Sequence, residues 1–211
     1  MDHTAIAERA ETYFGGLSPT HDWHHVERVV ANAERLALDT DRAVDEDVLV
    51  AAAWLHDIGR KREAAGEITD HAEWGATEAR ELLPEFGADA ATIDTVAHCI
   101  RAHRFSNDVT PETTEAKLLC DADNLDAIGA VGLARTFSHA GEHGRPIHDP
   151  DLPPEADDSA AGETSINHVH AKLLRIEDRM YTAAGRAMAA ERHAFLETFV
   201  ERFEREVAGE R

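Results

Sequence analysis

The segment "VLVAAAWLHDIGRKRE", residues 48–63, constrains this chain more than any other. Eight apolar residues run without interruption and end on His56-Asp57, then Ile58-Gly59, then a basic cluster. A run that is apolar on every side belongs to a central, buried helix. An ionised carboxylate at its end is costly to bury unless it is paired or binds a metal. Either Gly59 stops the helix near water, leaving a surface His-Asp pair, or the rest of the chain supplies what Asp57 needs.

Helical periodicity dominates, and no strand alternation competes with it. Residues 22–38 place Val26, Val29, Val30, Ala33, Leu36 and Ala37 on one stripe. The spacing predicts further helices over 45–58, 70–83, 88–103, 111–123 and 128–138. Pro84 and Gly87 break the third from the fourth, and Pro111 is expected in a first helical turn. The Gly-, Pro- and Asp-rich stretch 141–163 reads as a long loop, either a lid or disordered. A helix follows from about 164. Phe195, Leu196, Phe199, Val200, Phe203 and Val207 then carry an apolar face towards residue 208. The expectation is an all-α fold: one helical domain over 1–211, with a core at about 18–140 and an extended C-terminal helix.

Oddly placed polar residues recur at the ends of the apolar helices. His25 opens the first stripe, and Asp121 and Asp123 lie in "KLLCDADNLDAIGA". Facing helices of a bundle build metal sites by projecting ligands inward. One divalent cation held by His25, His56, Asp57 and Asp123 offsets the burial of both aspartates. Such mixed N/O ligation without thiolate suits Mn²⁺ first, then Mg²⁺, Fe²⁺, Co²⁺, Ni²⁺ or Zn²⁺.

"HDWHHVERV", "LHDIGRK", "EAKLLCDADNLDAIGAVGLARTF" and "TSINHVHAKLL", in this order, resemble the HD-domain superfamily of metal-dependent phosphohydrolases. They are similar to one small bacterial and archaeal branch over about residues 18–205. The resemblance implies the same four ligands and, for that branch, cleavage of nucleoside triphosphates to a monophosphate and pyrophosphate. Asn124 stands where that branch leads one to expect an arginine. Phosphomonoesterase, phosphodiesterase and guanosine-tetraphosphate hydrolase activities are the alternatives. Arg60-Lys61 replaces the Glu-Asp pair expected of the last. A non-catalytic, metal-bound ligand sensor is the remaining class. His71, His98 and His103 either hold a second metal, as in two-metal members, or contact substrate phosphate, or are structural.

Charge supports a phosphorylated small molecule, a nucleotide in the first instance. Acids number 42 against 21 Lys and Arg, a net charge of -21. That balance argues against nonspecific nucleic-acid or anionic-membrane binding. The dispersed acids, with arginine favoured over lysine, suggest a halophilic cytoplasm. Against this background Arg60, Lys61, Arg104, Arg145, His168 and Lys172 are candidate substrate contacts, with salt bridging on an acidic surface as the alternative. Glu73 is a candidate general acid or base, Asp121 a candidate for orienting a histidine or water, and His103 a candidate donor to the leaving group. Cys99 and Cys120 make no disulfide framework and suggest a reducing, cytoplasmic setting. The opening "MDHTAIAERAETYF" matches neither a secretory signal nor a transit peptide. A monomer or a homodimer is expected.

Overall fold

A computed structural model describes residues 1–104 and 108–210. The described residues form helices and connecting loops without strands. The chain divides into two compact units, 1–123 and 124–211.

The first unit holds α1 (His3–Glu11), α2 (Trp23–Asp39), α3 (Glu46–Leu55), α4 (Arg60–Ala64), α5 (His71–Leu82), α6 (Ala90–His103) and most of α7 (Thr114–Asp126). Aspartates start most of them. Asp2, Asp22, Asp45, Asp70 and Asp89 each accept a backbone N–H of the first turn, a cap worth about 1 kcal/mol. α3 is the centre, packed against α1, α2 and α6. Val48, Leu49, Ala51, Ala52, Ala53 and Leu55 are all buried, and the run of alanines lets neighbouring helices approach closely. The predicted stripe of α2 is confirmed for Val26, Val29, Val30, Ala33 and Leu36, all buried. Two hydrogen bonds anchor α7: Asn32 Nδ2 donates to the Ala122 carbonyl at 3.1 Å, and Cys120 Sγ donates to the Ala102 carbonyl at 3.3 Å.

Several boundaries differ from expectation, each for a local reason. α3 stops at Leu55 rather than Ile58, because the chain turns at His56–Gly59 and restarts as α4. α7 begins at Thr114 rather than at Pro111, since Thr113 Oγ1 accepts the Ala116 N–H at 3.1 Å and caps it. It also runs on to Asp126, so Asp123 lies inside the last turn rather than at the end. α1 was not expected. Its Ile6 and Ala10, with Phe14 beyond, form a buried stripe of spacing four that polar neighbours obscure.

The second unit holds α8 (Gly129–Glu142), α9 (Ser165–Ala171) and α10 (Ala183–Val207). α8 packs on α9 and α10. Leu196 and Val200 of α10 are buried, but Phe195 and Val207 are 46% and 49% exposed. A 100° step from Leu196 turns Phe195 off the face assigned to it above, whereas Val207 keeps the face but is the last residue of α10. The 141–163 stretch is folded around Asp157, whose carboxylate accepts from the Ser159 and Glu163 amides and from Asn167 Nδ2. Gly162, at φ +76°, lets this loop press against the backbone of His168, where any Cβ would collide. No described helix is long and apolar enough to cross a membrane.

Candidate metal centre

Three local devices aim the side chains of the first unit at one point. The Asp22 cap sets His25 in the first turn of α2 through its own N–H, at 3.0 Å. The turn after α3 swings His56 and Asp57 inward. Gly59 permits that turn, since a Cβ there would sit 2.5 Å from the His71 carbonyl oxygen. The anchoring of α7 brings Asp123 to the same place.

The result is a cluster of acceptors facing acceptors. His25 Nε2 lies 3.6 Å from Asp57 Oδ2, 3.5 Å from Asp123 Oδ1 and 3.4 Å from His56 Nε2. His56 Nε2 lies 3.7 Å from Asp57 Oδ2. The His56 Nδ1–H donates to the Ala53 carbonyl at 2.7 Å, so its Nε2 carries the lone pair when the ring is neutral. Asp57 is 1% exposed, and its Oδ2 has no hydrogen-bond partner. Cis ligands on an octahedral ion with bonds near 2.1 Å lie about 3 Å apart. These separations are longer than ordinary hydrogen bonds and suit donors around a cation. The orphaned Asp57 oxygen and the chemistry of the donor set fit a divalent metal, and the geometric cluster His25–His56–Asp57 is able to hold one.

The electrostatics favour the metal-binding protonation states. Burial pushes the Asp57 carboxyl up, but Arg60, His56, His103 and His25 outweigh it and hold the group well below the usual carboxylate range. Burial likewise raises Asp123, while His25, His56 and His103 hold it low. Burial pushes the His56 imidazolium down to about 4, against the pull of Asp57. At neutral pH both carboxylates are therefore ionised and His56 is neutral. Asp123 and Arg60, each with a side chain 27% exposed, form the open side of the cluster.

A second group adjoins it through Asp57. His71 Nε2 and His103 Nε2 each lie 3.3 Å from Asp57 Oδ1, and the three residues make a second cluster able to hold a metal. Glu63, which the sequence reading did not single out, accepts from His71 Nδ1 at 2.9 Å and pairs with Arg104 at 2.6 Å. A carboxylate behind a histidine is the usual arrangement for orienting a metal ligand. The only signal for Glu63 is its place three residues after Arg60.

The remaining candidates disperse. Arg60 donates from Nε to Asp57 Oδ1 at 2.9 Å. Lys61 is exposed on α4. Arg104 is held by Glu63 and Asp70. Glu73 is not brought to the cluster; its exposed carboxylate pairs with Arg101 at 3.0 Å. His98 is also outside, its Nε2 accepting the Glu112 N–H at 3.1 Å. Asp121 is fully buried in α7, two residues from Asp123 and so on another face of the helix. In the second unit Arg145, His168 and Lys172 share one neighbourhood with His139. Burial first, then His143, Arg145 and Lys172, hold the His139 imidazolium below its ordinary range. Burial does the same for His168, whose Nδ1–H donates to the Ala161 carbonyl.

Paired histidines and aspartates at the ends of packed helices define the HD-domain family, and this chain belongs to it, matching the family over residues 22–128. It is a hydrolase of the HD superfamily. Among curated relatives it is 33% identical to the uncharacterized protein YpgQ of Bacillus subtilis, over 99% of this chain and 97% of that one. YpgQ has been solved in complex with ADP, and that structure matches with a TM-score of 0.77 at 29% identity, covering 99% of both chains. An HD-superfamily hydrolase from Bacillus thuringiensis matches with a TM-score of 0.79 at 30% identity, covering 98% of this chain and 96% of that one. A local match reaches the 3'-5' exoribonuclease YhaM of Bacillus velezensis, 28% identical over 60% of this chain and 43% of YhaM.

Proposed function

We propose that the chain hydrolyses nucleoside triphosphates to a monophosphate and pyrophosphate, using one divalent cation, Mn²⁺ in the first instance, held by His25, His56, Asp57 and Asp123. The observation that carries this reading is the buried Asp57 carboxylate surrounded by imidazole nitrogens, with one oxygen left without a partner. A divalent metal polarises a phosphoryl oxygen and lowers the pKa of a coordinated water. The chain does the rest. Ala53 fixes the His56 tautomer. Arg60, on the open side, offsets charge on Asp57 and offers N–H groups to an entering phosphate. His103 is assigned the proton for the leaving group, and Asp121 the orientation of a neighbouring group. The second unit's Arg145, His168 and Lys172 are assigned phosphate as their ligand, because Arg145 and Lys172 gather positive charge beside His168 in a chain of net charge -21. A nucleotide is supported by the ADP bound to YpgQ.

The test is a nucleotide panel incubated with the metal-replete protein at high salt, with products resolved as pyrophosphate or orthophosphate. Pyrophosphate, abolished by chelator and restored by Mn²⁺, supports the reading. Orthophosphate alone makes the protein a phosphomonoesterase instead. The local match to YhaM favours phosphodiester hydrolysis as the second reading; nucleoside monophosphates released from an oligonucleotide, with the triphosphates left intact, would establish it.

A further inference from the structure

We propose that the Arg60 guanidinium occupies the seat of a second divalent cation, so that this chain holds one metal tightly where its donor atoms could hold two. The inference rests on the one-metal reading above.

The two oxygens of Asp57 have different neighbours. Oδ2 faces His25 and His56. Oδ1 faces His71 Nε2 and His103 Nε2, both at 3.3 Å, and accepts from Arg60 Nε at 2.9 Å. The Nδ1 atoms of these two histidines are already engaged, His71 by Glu63 and His103 by the Ile100 carbonyl at 2.6 Å. Both Nε2 atoms are therefore left to face Oδ1, and both are buried without a hydrogen-bond partner. Three buried ligand atoms converging in this way form a cluster able to hold a cation. Arg60 serves only part of that cluster. Its fixed N–H neutralises the Oδ1 charge, yet it gives neither imidazole a bond. A dication bound to Oδ1 and both Nε2 atoms satisfies all three donors. It would also stand close to the guanidinium on the same oxygen, and the repulsion between the two positive groups weakens its binding.

The competition is therefore between Arg60 and a metal. The side chain is free to yield: Arg60 is the first residue of α4, 27% exposed, and Glu63 Oε2 lies 3.7 Å from its Nη1 as an alternative partner. Arg104, the other guanidinium nearby, is held by Glu63 and Asp70. Arg60 is thus a specificity residue for metal count.

The experiment is a Mn²⁺ titration of the full chain, stripped of metal, following free Mn²⁺ by electron paramagnetic resonance. Wild type should take up one tight equivalent. Arg60→Gln should take up two, the second at least tenfold tighter than any second equivalent of wild type. Arg60→Lys, which keeps a cation, should return to one, and so should Arg60→Gln combined with His103→Ala. Circular dichroism of each variant establishes that it is folded. A folded Arg60→Gln with one equivalent, or a wild type with two of equal affinity, overturns the inference and leaves the one-metal reading standing. A wild type that binds none overturns both.

Discussion

Asp57 is the residue on which the centre turns. It is buried, ionised and shared between two groups of imidazoles, so its removal takes away the carboxylate that faces both. Asp57→Ala should lose metal binding and hydrolysis together, read by metal titration and product release; parent-rate turnover would refute the ligand assignment. The pH dependence has a definite sign. His56 has a folded pKa of about 4 against an ordinary 6.5, so between those values the unfolded chain binds the extra proton. Stability without metal is therefore fully present above pH 6.5 and is lost as pH falls towards 4, by about 3 kcal/mol from this group. The depressed Asp57 and Asp123 act in the same direction at lower pH. Urea denaturation in chelator at pH 7.5 and 5 should show a lower midpoint at pH 5. His25, His56, Asp57 and Asp123 were legible because each interrupts or bounds an apolar pattern. Glu63 was not, because it meets His71 only once the 65–70 connection has folded back.

At the scale of elements, the turn between α3 and α4 decides the site. A helix continued to Ile58 would carry His56 and Asp57 round by 100° per residue and separate them from α5. Gly59 prevents this by accepting the His71 backbone against its Cα hydrogens. Gly59→Ala should push α5 away, costing about 1–3 kcal/mol as an overpacking substitution and weakening metal affinity. Thermal unfolding and metal titration check the two effects separately, and unchanged values in both would show that the close approach is dispensable. Apolar periodicity revealed the existence of α2, α3, α5 and α6. Their ends were less legible, because caps such as Thr113 compete with equally plausible signals such as Pro111.

At the scale of the whole molecule, charge is the dominant feature. A net charge of -21 spread over the chain destabilises the compact state by self-repulsion. Salt shortens the reach of that repulsion from about 10 Å at 0.1 M to about 3 Å at 1 M. The melting temperature should rise as KCl is raised over this range; a flat or falling profile would mean that the acids are already locally neutralised. The sequence by itself determined the all-α class, the central helix and the four residues that meet at one point, because burial of apolar stripes and the cost of burying bare carboxylates are readable from pattern alone. Only the tertiary structure decided which other groups meet Asp57. His71 and His103 come to it while His98 and Glu73 do not, and Arg60 turns inward while Lys61 stays outside. Those choices depend on helix ends and turn geometry, which set a side chain's direction within a few degrees that one-dimensional spacing does not encode.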